Sequence, residues 1–548
     1  MRVEPCYVKQ HPPMAEDYVS HFSRVQELFD YDPRSNDVWE QRVRFLDRQS
    51  GPRADRHQLV QALSLFNQRI ENAPEALAAI RSLEDERTLV VVGGQQACLF
   101  TGPLLVIYKA ITIVRTARRL SRELRRPVIP VFWIAGEDHD FDEVNHVYYL
   151  TQNLDIRKIQ VDHPTGKKTS VSRIALNRPQ WEEVVDQFQQ SLMDTEFKAE
   201  IVEKLAQLAG RSTTLVDCFA RIMAWLFGPQ GLVLVDSGDP NLRCIERPMF
   251  EQFIAWSREM NEALWNGKRK VESLGYAAQL DLKEGSANLF VDHEGERTLL
   301  YRDQYGGFTD KKGHVRFTKQ ELVDLAKNDP VRFSNNAATR PIMQEFLFPV
   351  LGTILGPGEI AYWGLLREAF QLFELQMPVI VPRLQFTILE PSVQKQMQTY
   401  GILLERALDD VQYIEHKKKA WLEEQGALHL KDRFDHVKRQ VVELYTPLLD
   451  LVSNIDPGMR DLGKTNLDKI LKHITFLETR AMASYEAQFE TALRRFERIR
   501  QNVTPMGKLQ DRVYNVFTYL NKHGQHWLTE LTEAPLADNR THHILYLS

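Results

Sequence analysis

The chain has 548 residues, of which 43% are hydrophobic and 26% are charged. These proportions are typical of folded soluble proteins, and the length corresponds to roughly three or four domains, so wholesale disorder and a small disulfide-stapled scaffold are excluded. The 69 basic and 74 acidic residues give a net charge of −5, which argues against a general nucleic-acid binder. The four cysteines match neither a disulfide framework nor a metal-binding spacing, and they predict a cytoplasmic protein without zinc.

The N-terminal region, residues 1–86, is predicted to be helical because its apolar residues recur at helical spacing. A β-branched run at 88–92 then leads into a glycine pair, and a helix is predicted over 103–124. A second apolar strand is predicted over 128–135. Strand, helix and strand in this order form a right-handed βαβ unit.

Two further apolar runs, 232–235 and 378–381, predict more strands of the same open parallel sheet. We therefore predict an α/β core over 87–390. The longest uncharged apolar run, 346–358, contains two prolines and is too short to span a membrane. Neither a secretory leader nor a membrane span is expected.

The intervals between these strands are longer than single crossovers, which predicts insertions at about 150–230 and 240–330. Residues 151–175 are predicted to form a hairpin with its turn at 163–166. A second antiparallel insertion is predicted over 288–317.

The last third of the chain has a different pattern. We predict a helical arm over 391–505 and a C-terminal segment, 506–548, that returns to the core. Two long helices separated by the Asp456-Pro457-Gly458 turn would form an antiparallel hairpin. The first helix carries apolar residues at heptad spacing, and such seams pair within a chain or with a second chain: Phe434, Val437, Val441, Leu444, Leu448 and Leu451.

Four polar segments follow predicted strands, where open α/β sheets bind their ligands. The first is a glycine-rich loop that could hold an anion or form only a tight turn, and Lys109 in the next helix could face a phosphate or solvent. Cys98 in this loop could reach a ligand or serve as a small buried side chain. The candidate residues of this segment are Gly93, Gly94, Gln95, Gln96, Thr101, Gly102, Pro103 and Lys109.

The second segment, Glu137-Asp138-His139-Asp140, follows the strand at 128–135. Carboxylates and an imidazole there could hold Mg²⁺, bind a substrate ammonium or remove a proton, and Asn145 lies just behind them. The alternative is a solvated loop that caps a helix. In the third segment, Asp236 could bind hydroxyl groups or an amine, or cap a turn.

The fourth segment combines an arginine that could bind a carboxylate or phosphate with a Gly-Pro-Gly turn that could present side chains to a pocket. The alternative is a turn with ordinary core aromatics. The candidates are Ser334, Asn335, Asn336, Arg340, Gly356, Gly358, Glu359, Tyr362 and Trp363. The pair His542-His543 is predicted to lie at the surface, and no metal site has a recognisable spacing.

Four long strings of the sequence, in order and over most of the chain, resemble the cysteine-adding family of bacillithiol biosynthesis, BshC. The strings are GGQQACLFTGPLLVIYKAI, VFWIAGEDHDFDEVNHVY, FSNNAATRPIMQEFLFPVLGTILGPGEIAYWGLL and DRVYNVFTYLNKHG. The resemblance implies a Rossmann-like nucleotidyltransferase core with two connecting-peptide insertions and a coiled coil that mediates homodimers.

The activity that the resemblance implies is the last step of bacillithiol biosynthesis, the ligation of cysteine to the amino group of glucosaminyl-malate with ATP. It assigns catalysis to Glu137, Asp138 and His139, and nucleotide binding to the glycine loop, Lys109 and Asp236. The substrate would be bound by Asn145 and the residues of the fourth segment.

The chain departs from class I aminoacyl-tRNA synthetases, because it lacks their His-x-Gly-His and Lys-Met-Ser-Lys-Ser signatures. Arg383 is the nearest basic counterpart of the second signature. The competing hypothesis is a dimeric scaffold that binds a nucleotide for regulation and assists another ligase. The clustering of polar residues after the core strands favours the enzyme.

Overall fold

The computed structural model describes residues 2–49, 53–425, 427–536 and 540–547, without the side chains of 427–429 and 486. The chain divides into two compact units. Unit 1 comprises Met1–Thr387 and Gln510–Leu545, and unit 2 comprises Ile388–Leu509 and Tyr546–Ser548.

The described strands are, in chain order, β1 (Arg2–Cys6), β2 (Leu89–Gln95), β3 (Val128–Ile134), β4 (His146–Leu150), β5 (Ile156–Gln160), β6 (Val233–Asp236), β7 (Ser286–His293), β8 (Glu296–Arg302), β9 (Phe308–Thr309), β10 (Arg316–Phe317), β11 (Phe333–Asn335), β12 (Val350–Leu355), β13 (Val379–Pro382), β14 (Gln385–Leu389) and β15 (His542–Tyr546).

The described α-helices of unit 1 that precede unit 2 in the chain are α1 (Pro13–Ser20), α2 (Val38–Arg48), α3 (Arg56–Arg69), α4 (Pro74–Ser82), α5 (Leu104–Leu124), α6 (Phe141–Val144), α7 (Arg178–Ser191), α8 (Lys198–Gly210), α9 (Leu215–Phe227), α10 (Pro240–Ala255), α11 (Ser257–Ser273), α12 (Lys319–Asn328), α13 (Thr339–Leu347), α14 (Pro357–Trp363) and α15 (Arg367–Leu372). The remaining helices are α16 (Pro391–Thr399), α17 (Leu404–Asp409), α18 (Tyr413–Glu424), α19 (Ala427–Ile455), α20 (Met459–Ala487), α21 (Glu490–Val503), α22 (Phe517–His523) and α23 (His526–Glu533).

The centre of unit 1 is a five-stranded parallel sheet with the order β13-β12-β2-β3-β6. Its strands are buried on both faces, which explains why they occur as continuous apolar runs rather than alternating ones. The prediction of a Rossmann-like core with a parallel sheet is confirmed, and the strands predicted at 88–92, 128–135, 232–235 and 378–381 correspond to β2, β3, β6 and β13.

The sequence pattern did not reveal β12, although this strand lies beside β2 in the middle of the sheet. It occupies the apolar run at 346–358, where Pro349 precedes the strand and Pro357 begins the next helix. Prolines at these two places do not interrupt the ladder, because each lies outside the paired residues.

The first insertion lies between β3 and β6 and contains the short helix α6, the β4–β5 hairpin and the helices α7 to α9. The predicted hairpin with a turn at 163–166 was wrong, because the two strands pair earlier, with Leu150 opposite Ile156. The second insertion carries an antiparallel sheet of order β10-β9-β8-β7-β11, so antiparallel pairing over 288–317 is confirmed.

A third sheet has the order β1-β15-β14. It shows that the prediction of a surface position for His542 and His543 was wrong, since both side chains are buried in β15. His542 Nε2 is 2.8 Å from Thr387 Oγ1. Burial lowers the pKa of His542 to about 4.

Unit 2 contains the helical arm. Helices α19 and α20 pack against each other, with Lys438 paired to Glu478 and Tyr445 Oη donating to Asn466 Oδ1 at 2.7 Å. Because the later residue of the first helix contacts the earlier residue of the second, the pair is antiparallel. The second long helix predicted for the arm is interrupted near Phe489, where α20 ends and α21 begins.

The heptad residues of α19 differ in exposure. Phe434 and Val441 are half-buried, whereas Leu444, Leu448 and Leu451 are exposed. The packing between α19 and α20 therefore covers only part of the predicted seam. Among the described helices of the whole chain, none combines the length and the low polarity that crossing a membrane requires.

Candidate active site

The candidate site lies at the carboxyl ends of the parallel strands. Along the chain the sheet grows from β2 through β3 to β6, and then continues on the other side of β2 with β12 and β13. The strand order thus reverses between β2 and β12. In open α/β sheets, ligands bind in the crevice beyond the strands at this reversal.

A buried ion pair occupies this point of the sheet. Lys109 Nζ, on α5, lies 2.6 Å from Glu359 Oε2 and donates to the carbonyl oxygen of Gly94 at 2.7 Å. Glu359 also accepts the amide of Gly356 at 2.8 Å. Lys109 is therefore not a solvated lysine: its ammonium group is paired with Glu359 and links β2 to the start of α14.

The charge states of this pair follow from its neighbours. Burial lowers the pKa of Lys109, and Glu359 offsets part of that effect. Burial pushes the pKa of Glu359 upward, but Lys109, Arg340 and the Gly356 amide outweigh it, and the resulting pKa lies below the ordinary value. The lowered pKa of Glu359 keeps its carboxylate ionised at neutral pH, where it can pair with Lys109.

Arg340, on α13, lies next to this pair and has a different role. Its Nη2 donates to the hydroxyl of Tyr362, and its Nε has no hydrogen-bond partner within the described part of the chain. Within that same part, no carboxylate lies within 4 Å of its guanidinium group. Arg340 is thus a half-buried cation that is available to the carboxylate or phosphate of a ligand.

Asn335, at the end of β11, adds further hydrogen-bonding capacity. Its side chain is buried, and neither its Nδ2 nor its Oδ1 has a partner among the described residues. An unsatisfied buried amide costs free energy unless a ligand or water completes its hydrogen bonds. By contrast, Asn336 Oδ1 accepts the amides of Ala338 and Thr339 and so holds the start of α13.

The first of the acidic residues after β3, Glu137, belongs to a buried charge network. Arg243, on α10, donates to Glu137 Oε2 and to Glu246 Oε2, each at 2.6 Å. Glu137 Oε2 also accepts the amide of Asn335 at 2.8 Å. This network joins β3, α10 and β11, so Glu137 orients the site while its carboxylate is already engaged.

The pKa values in this network are strongly perturbed. Burial raises the pKa of Glu246 to about 7, although Arg243 acts in the opposite direction. Burial alone would lower the pKa of Arg243, but Glu246 and Glu137 outweigh it and raise that pKa. One cation thus serves two carboxylates.

The carboxylate of Asp138 is more accessible than that of Glu137: 30% of the Asp138 side chain and 5% of the Glu137 side chain are exposed. Its Oδ2 accepts Gln96 Nε2 at 2.8 Å, and its Oδ1 accepts the amide of His139 at 2.8 Å. Arg297 Nη1 lies 3.5 Å from Asp138 Oδ1. These contacts fix the position of the Asp138 carboxylate.

Arg297 comes from β8, on the inserted sheet, and it reaches several site residues. Its Nη1 lies 3.0 Å from His139 Nδ1, and its Nε donates to Ser334 Oγ at 3.0 Å. It also donates to the carbonyl oxygen of Asn335 and lies 3.8 Å above the ring of Phe290. The second insertion therefore contributes an arginine that contacts several residues of the site.

The environment of His139 limits what its imidazole can do. Because a guanidinium is a donor only, the contact with Arg297 requires His139 Nδ1 to accept, which places the proton on Nε2. Burial and Arg297 lower the pKa of His139. His139 is thus a neutral group whose acceptor nitrogen is already used in this arrangement.

Asp236 lies at the end of β6 in a closely packed corner. Its Oδ1 accepts Ser172 Oγ at 2.9 Å and the amide of Gly238 at 2.8 Å. Burial raises its pKa to about 6 in spite of these bonds. A side chain at Gly136 would come within 2.3 Å of the same oxygen, so this glycine is needed for packing.

Some predicted residues are used elsewhere in the fold. Arg383 forms a buried ion pair with Asp511 at 2.9 Å. Asn145 donates to the carbonyl oxygen of Val161 at 2.9 Å, next to the β4–β5 hairpin. Trp363 lies in the hydrophobic core.

The glycine loop is also held by protein groups. Asn515 Nδ2 donates to the carbonyl oxygens of Phe100 and Gly102, each at 2.7 Å, and the amide of Leu104 donates to the Tyr514 carbonyl oxygen at 2.8 Å. Thr101 and Pro103 lie within this held segment. The glycine loop therefore forms a turn at the start of α5 that is fixed by hydrogen bonds from the C-terminal segment.

Packing explains the glycine pair at the end of β2. A Cβ at Gly93 would lie 2.9 Å from Ile113 Cδ1, and one at Gly94 would lie 2.6 Å from the carbonyl oxygen of Trp133. At Gly358, by contrast, the position of a Cβ is open. Burial raises the pKa of the Cys98 thiol to about 12, so this cysteine is a packing residue rather than a nucleophile.

Sequence patterns did not reveal several residues of the site. Arg243 and Arg297 lie in the insertions, and Asp511 lies near the C-terminus, far along the chain from their partners. In the sequence, only the charge of these residues could have indicated a role in the site. That signal is weak, because arginine and aspartate are also common at protein surfaces. Among the described residues, no three His, Cys, Asp or Glu side chains are grouped so as to hold a metal ion.

Comparison with known proteins agrees with this architecture. Residues 1–384 match the family model "Bacillithiol biosynthesis BshC, N-terminal Rossmann-like domain", and residues 386–547 match "Bacillithiol biosynthesis BshC, C-terminal coiled-coil domain". The chain is 35% identical over 531 residues to the "Putative cysteine ligase BshC" of Bacillus cytotoxicus, with 97% of both chains covered. It is 36% identical over 548 residues to the protein of the same name from a Geobacillus strain, with 100% of both chains covered. The resemblance is confirmed, and the chain belongs to the BshC family of bacillithiol biosynthesis.

Proposed function

We propose that this protein is a carbon–nitrogen ligase that joins the carboxyl group of cysteine to the amino group of glucosaminyl-malate, with ATP as the activating co-substrate. The name cysteine ligase, carried by relatives that match over the full length, supports the general class. The particular acceptor and the use of ATP extend beyond that name.

The chemistry of amide formation supports the activation step. A free carboxylate is a poor acyl donor, because its leaving group would be an oxide. Activation converts one carboxylate oxygen into a leaving group, most simply when that oxygen attacks the α-phosphorus of ATP, which breaks the α–β phosphoanhydride bond, releases pyrophosphate and leaves an adenylate. The amine nitrogen then attacks the carbonyl carbon, the activating group departs with that oxygen, and the nitrogen loses a proton.

Arg340 carries the proposal. It is a half-buried guanidinium at the reversal of the strand order, without a carboxylate partner among the described residues. Burial would lower its pKa, but Tyr362, Glu359, Glu137 and Asp138 together raise it, so the group stays charged. We assign Arg340 and the unsatisfied amide of Asn335 to a carboxylate of the malate moiety.

Asp138 is suited to the amine of the acceptor. Its carboxylate is more accessible than that of Glu137, and an ammonium group could pair with it before losing its proton. Asp138 already accepts from Gln96 and from the His139 amide and lies close to Arg297, so its oxygens are held in place by protein donors. We therefore assign it to binding and orienting the amine, and Arg297 to positioning Asp138 and His139.

The residues expected to bind the phosphates of ATP fit that role poorly. Lys109 is paired with Glu359, and Arg383 is paired with Asp511. To reach a phosphate, Lys109 would have to leave the half-buried Glu359 and Arg383 would have to leave the buried Asp511, and separating such pairs is costly. We therefore assign no phosphate contact to either cation. The use of ATP and Mg²⁺ is proposed from the chemistry of carboxylate activation alone.

The experiment combines cells and purified protein. A strain lacking the gene is complemented with the natural protein, with Arg340→Gln or with Asp138→Asn, and thiols are profiled by mass spectrometry. We expect bacillithiol to be lost and glucosaminyl-malate to accumulate in the deletion strain, and only the natural protein to restore bacillithiol. Arg178→Gln, an exposed charge removed from α7, is the matched control and should restore it.

The purified protein is then incubated with cysteine and glucosaminyl-malate, with and without ATP and Mg²⁺. Formation of bacillithiol only with ATP supports the full proposal. Bacillithiol that stays at its normal level in the deletion strain would contradict the ligase assignment. Stabilisation of the protein by a nucleotide alone, without turnover, would favour the regulatory scaffold.

We also propose that the arm pairs with a second copy of the chain. Besides Leu444, Leu448 and Leu451, the exposed apolar residues of α19 include Val437 and Ile455. Their separations of seven, four, three and four residues place them along one stripe. A stripe of this kind on a coiled-coil helix is typical of a seam between chains.

A further inference from the structure

The C-terminal segment 510–517 has no part in the chemistry proposed above, although it contacts the ends of the parallel sheet. Asp511 is paired with Arg383, just after β13. The carbonyl oxygen of Tyr514 accepts the amide of Leu104, at the start of α5. The segment therefore reaches the loops that follow β13 and β2, on both sides of the point where the strand order reverses.

The loop after β2 contains a strained turn. The φ angles of Phe100, Thr101 and Gly102 are 45°, 70° and 63°, so three consecutive residues lie at positive φ. Glycine adopts positive φ readily, whereas phenylalanine and the β-branched threonine rarely do so. Residues held in this way cost free energy and persist only where the surrounding structure fixes them. The turn therefore needs contacts from outside the loop.

Asn515 supplies these contacts. Its side-chain nitrogen donates to the carbonyl oxygens of Phe100 and Gly102, each at 2.7 Å, and its Oδ1 accepts the amide of Phe517 at 2.9 Å. Only 1% of Asn515 is exposed. A side-chain amide nitrogen carries two hydrogens, and both are used on the two carbonyl groups that flank Thr101. One side chain thus fixes the turn on both sides of the threonine.

The turn is linked to the acidic residues of the candidate site through Gln96. The amide of Cys98 donates to the carbonyl oxygen of Gln96 at 3.0 Å, and the amide of Thr101 donates to the carbonyl oxygen of Cys98 at 3.1 Å. The side-chain nitrogen of Gln96 donates to Asp138 Oδ2 at 2.8 Å and to Glu143 Oε2 at 3.0 Å. A shift of the turn therefore displaces the donor that orients both carboxylates.

The contact between Gln96 and Asp138 is sensitive to such a displacement. A hydrogen bond weakens steeply when its distance and angle leave a narrow range. Reactions between bound groups depend on position even more strongly, since a misplacement of about 1 Å costs on the order of 100-fold in rate. A distant residue that fixes Gln96 is thus able to control how Asp138 meets an amine.

We propose that Asn515 is a positioning residue of the ligation reaction. It holds the strained turn at 100–102, the turn keeps Gln96 against Asp138, and Gln96 keeps the Asp138 carboxylate in place for the acceptor amine. Asn515 acts through Gln96 rather than by contact with a substrate. This inference rests on the proposed function, because it takes Asp138 as the residue that binds the amine.

Asn521, on α22, is a matched control. It is 2% exposed, and its Nδ2 donates to the carbonyl oxygen of Met193 at 2.9 Å. Its Oδ1 lies 3.0 Å from Thr195 Oγ1. Asn521 thus holds the connection between α7 and α8 much as Asn515 holds the turn, and these partners are not candidate site residues. Loss of either asparagine removes buried hydrogen bonds, but only loss of Asn515 is expected to alter the Gln96 contact.

The kinetic experiment compares full-length Asn515→Leu and Asn521→Leu with the natural protein, at varied concentrations of glucosaminyl-malate and ATP. We expect Asn515→Leu to lower kcat/KM for glucosaminyl-malate at least about tenfold and to change KM for ATP by less than about twofold. Asn521→Leu should match the natural protein in both constants, even where its Tm is lower. Equal kinetic losses in the two variants would show a packing role alone and overturn the proposal.

A double variant tests the route through Gln96. Gln96→Leu should show the same selective loss as Asn515→Leu, and combining the two should lower kcat/KM by less than about a further twofold, because the contact is already missing. Losses that multiply would place the effect of Asn515 elsewhere and overturn the proposal. Gln96 is half-buried, and Gln96→Leu keeps the main-chain bonds of the turn. Full activity of Gln96→Leu therefore refutes the route even if Asn515→Leu does not fold.

Hydrogen exchange read by mass spectrometry examines the turn without turnover. We expect peptides that cover 96–104 to exchange at least about tenfold faster in Asn515→Leu and at the natural rate in Asn521→Leu. Unchanged exchange in Asn515→Leu overturns the proposal whatever the kinetic result. If the natural protein does not ligate with ATP, the proposed function fails and this role fails with it. If the natural protein ligates and Asn515→Leu ligates equally well, only the role of Asn515 is refuted.

Discussion

Replacing Arg243 with glutamine tests whether the buried charge network supports the candidate site. Arg243 is the common partner of Glu137 and Glu246, and the exposed fractions of the three side chains are 2%, 5% and 0%. The Arg243→Gln substitution leaves two carboxylates buried without a cation. It also removes the group that holds Glu137 against the amide of Asn335.

We expect the free energy of unfolding to fall by about 3–5 kcal/mol at pH 8, the usual cost of removing one partner of a buried ion pair. The loss should become smaller as the pH falls, because the carboxyl groups then accept protons and neutral carboxyls are cheaper to bury. Since burial already raises the pKa of Glu246 to about 7, the change should begin near neutral pH. Ligation activity should fall together with stability.

The assay is urea denaturation followed by far-ultraviolet circular dichroism between pH 5 and pH 8. The matched control is Arg258→Gln, which breaks an exposed pair with Glu262 and should leave the stability unchanged. If Arg243→Gln is as stable as this control at pH 8, the network does not stabilise the fold and the reasoning is refuted.

Asp236 has its pKa raised to about 6 by burial, so it favours the folded state below pH 4 and loses that contribution, roughly 3 kcal/mol, as the pH rises through 6. Asp236→Asn should abolish this slope in urea denaturation; an unchanged slope would exclude Asp236 as its source. A thiol reagent should label the exposed Cys244 quickly and the buried Cys98 only after unfolding, as read by peptide mapping; equal rates would contradict the burial of Cys98. The Leu444→Glu/Leu451→Glu variant should give the mass of one chain by light scattering, and the natural protein that of two; equal masses would reject the proposed seam.

Local sequence patterns were sufficient for the elements of the parallel sheet that are buried on both faces. The strands β2, β3 and β6 and the helix α5 are recognisable because burial imposes apolar runs or helical periodicity within a few residues. The position of polar residues just after these strands also predicted where the site lies.

The same patterns were insufficient where a side chain's surroundings come from distant segments. Lys109 was expected to face solvent or a phosphate. In the structure it is paired with Glu359, which lies 250 positions further along the chain and so could not be recognised from the local pattern. His139 was expected to take part in catalysis, and Arg297, 158 positions away, engages its acceptor nitrogen. His542 looked exposed but is buried in β15.

The sequence by itself therefore determined the α/β core, the helical arm, the family and the edge of the sheet that carries the site. Only the tertiary structure decided which cations are already paired, which of them, like Arg340, remain available, and which distant side chain holds the strained turn of the glycine loop. The physical reason is that periodicity is a local consequence of burial, whereas charge state and availability depend on every group within a few ångströms, irrespective of its place in the chain.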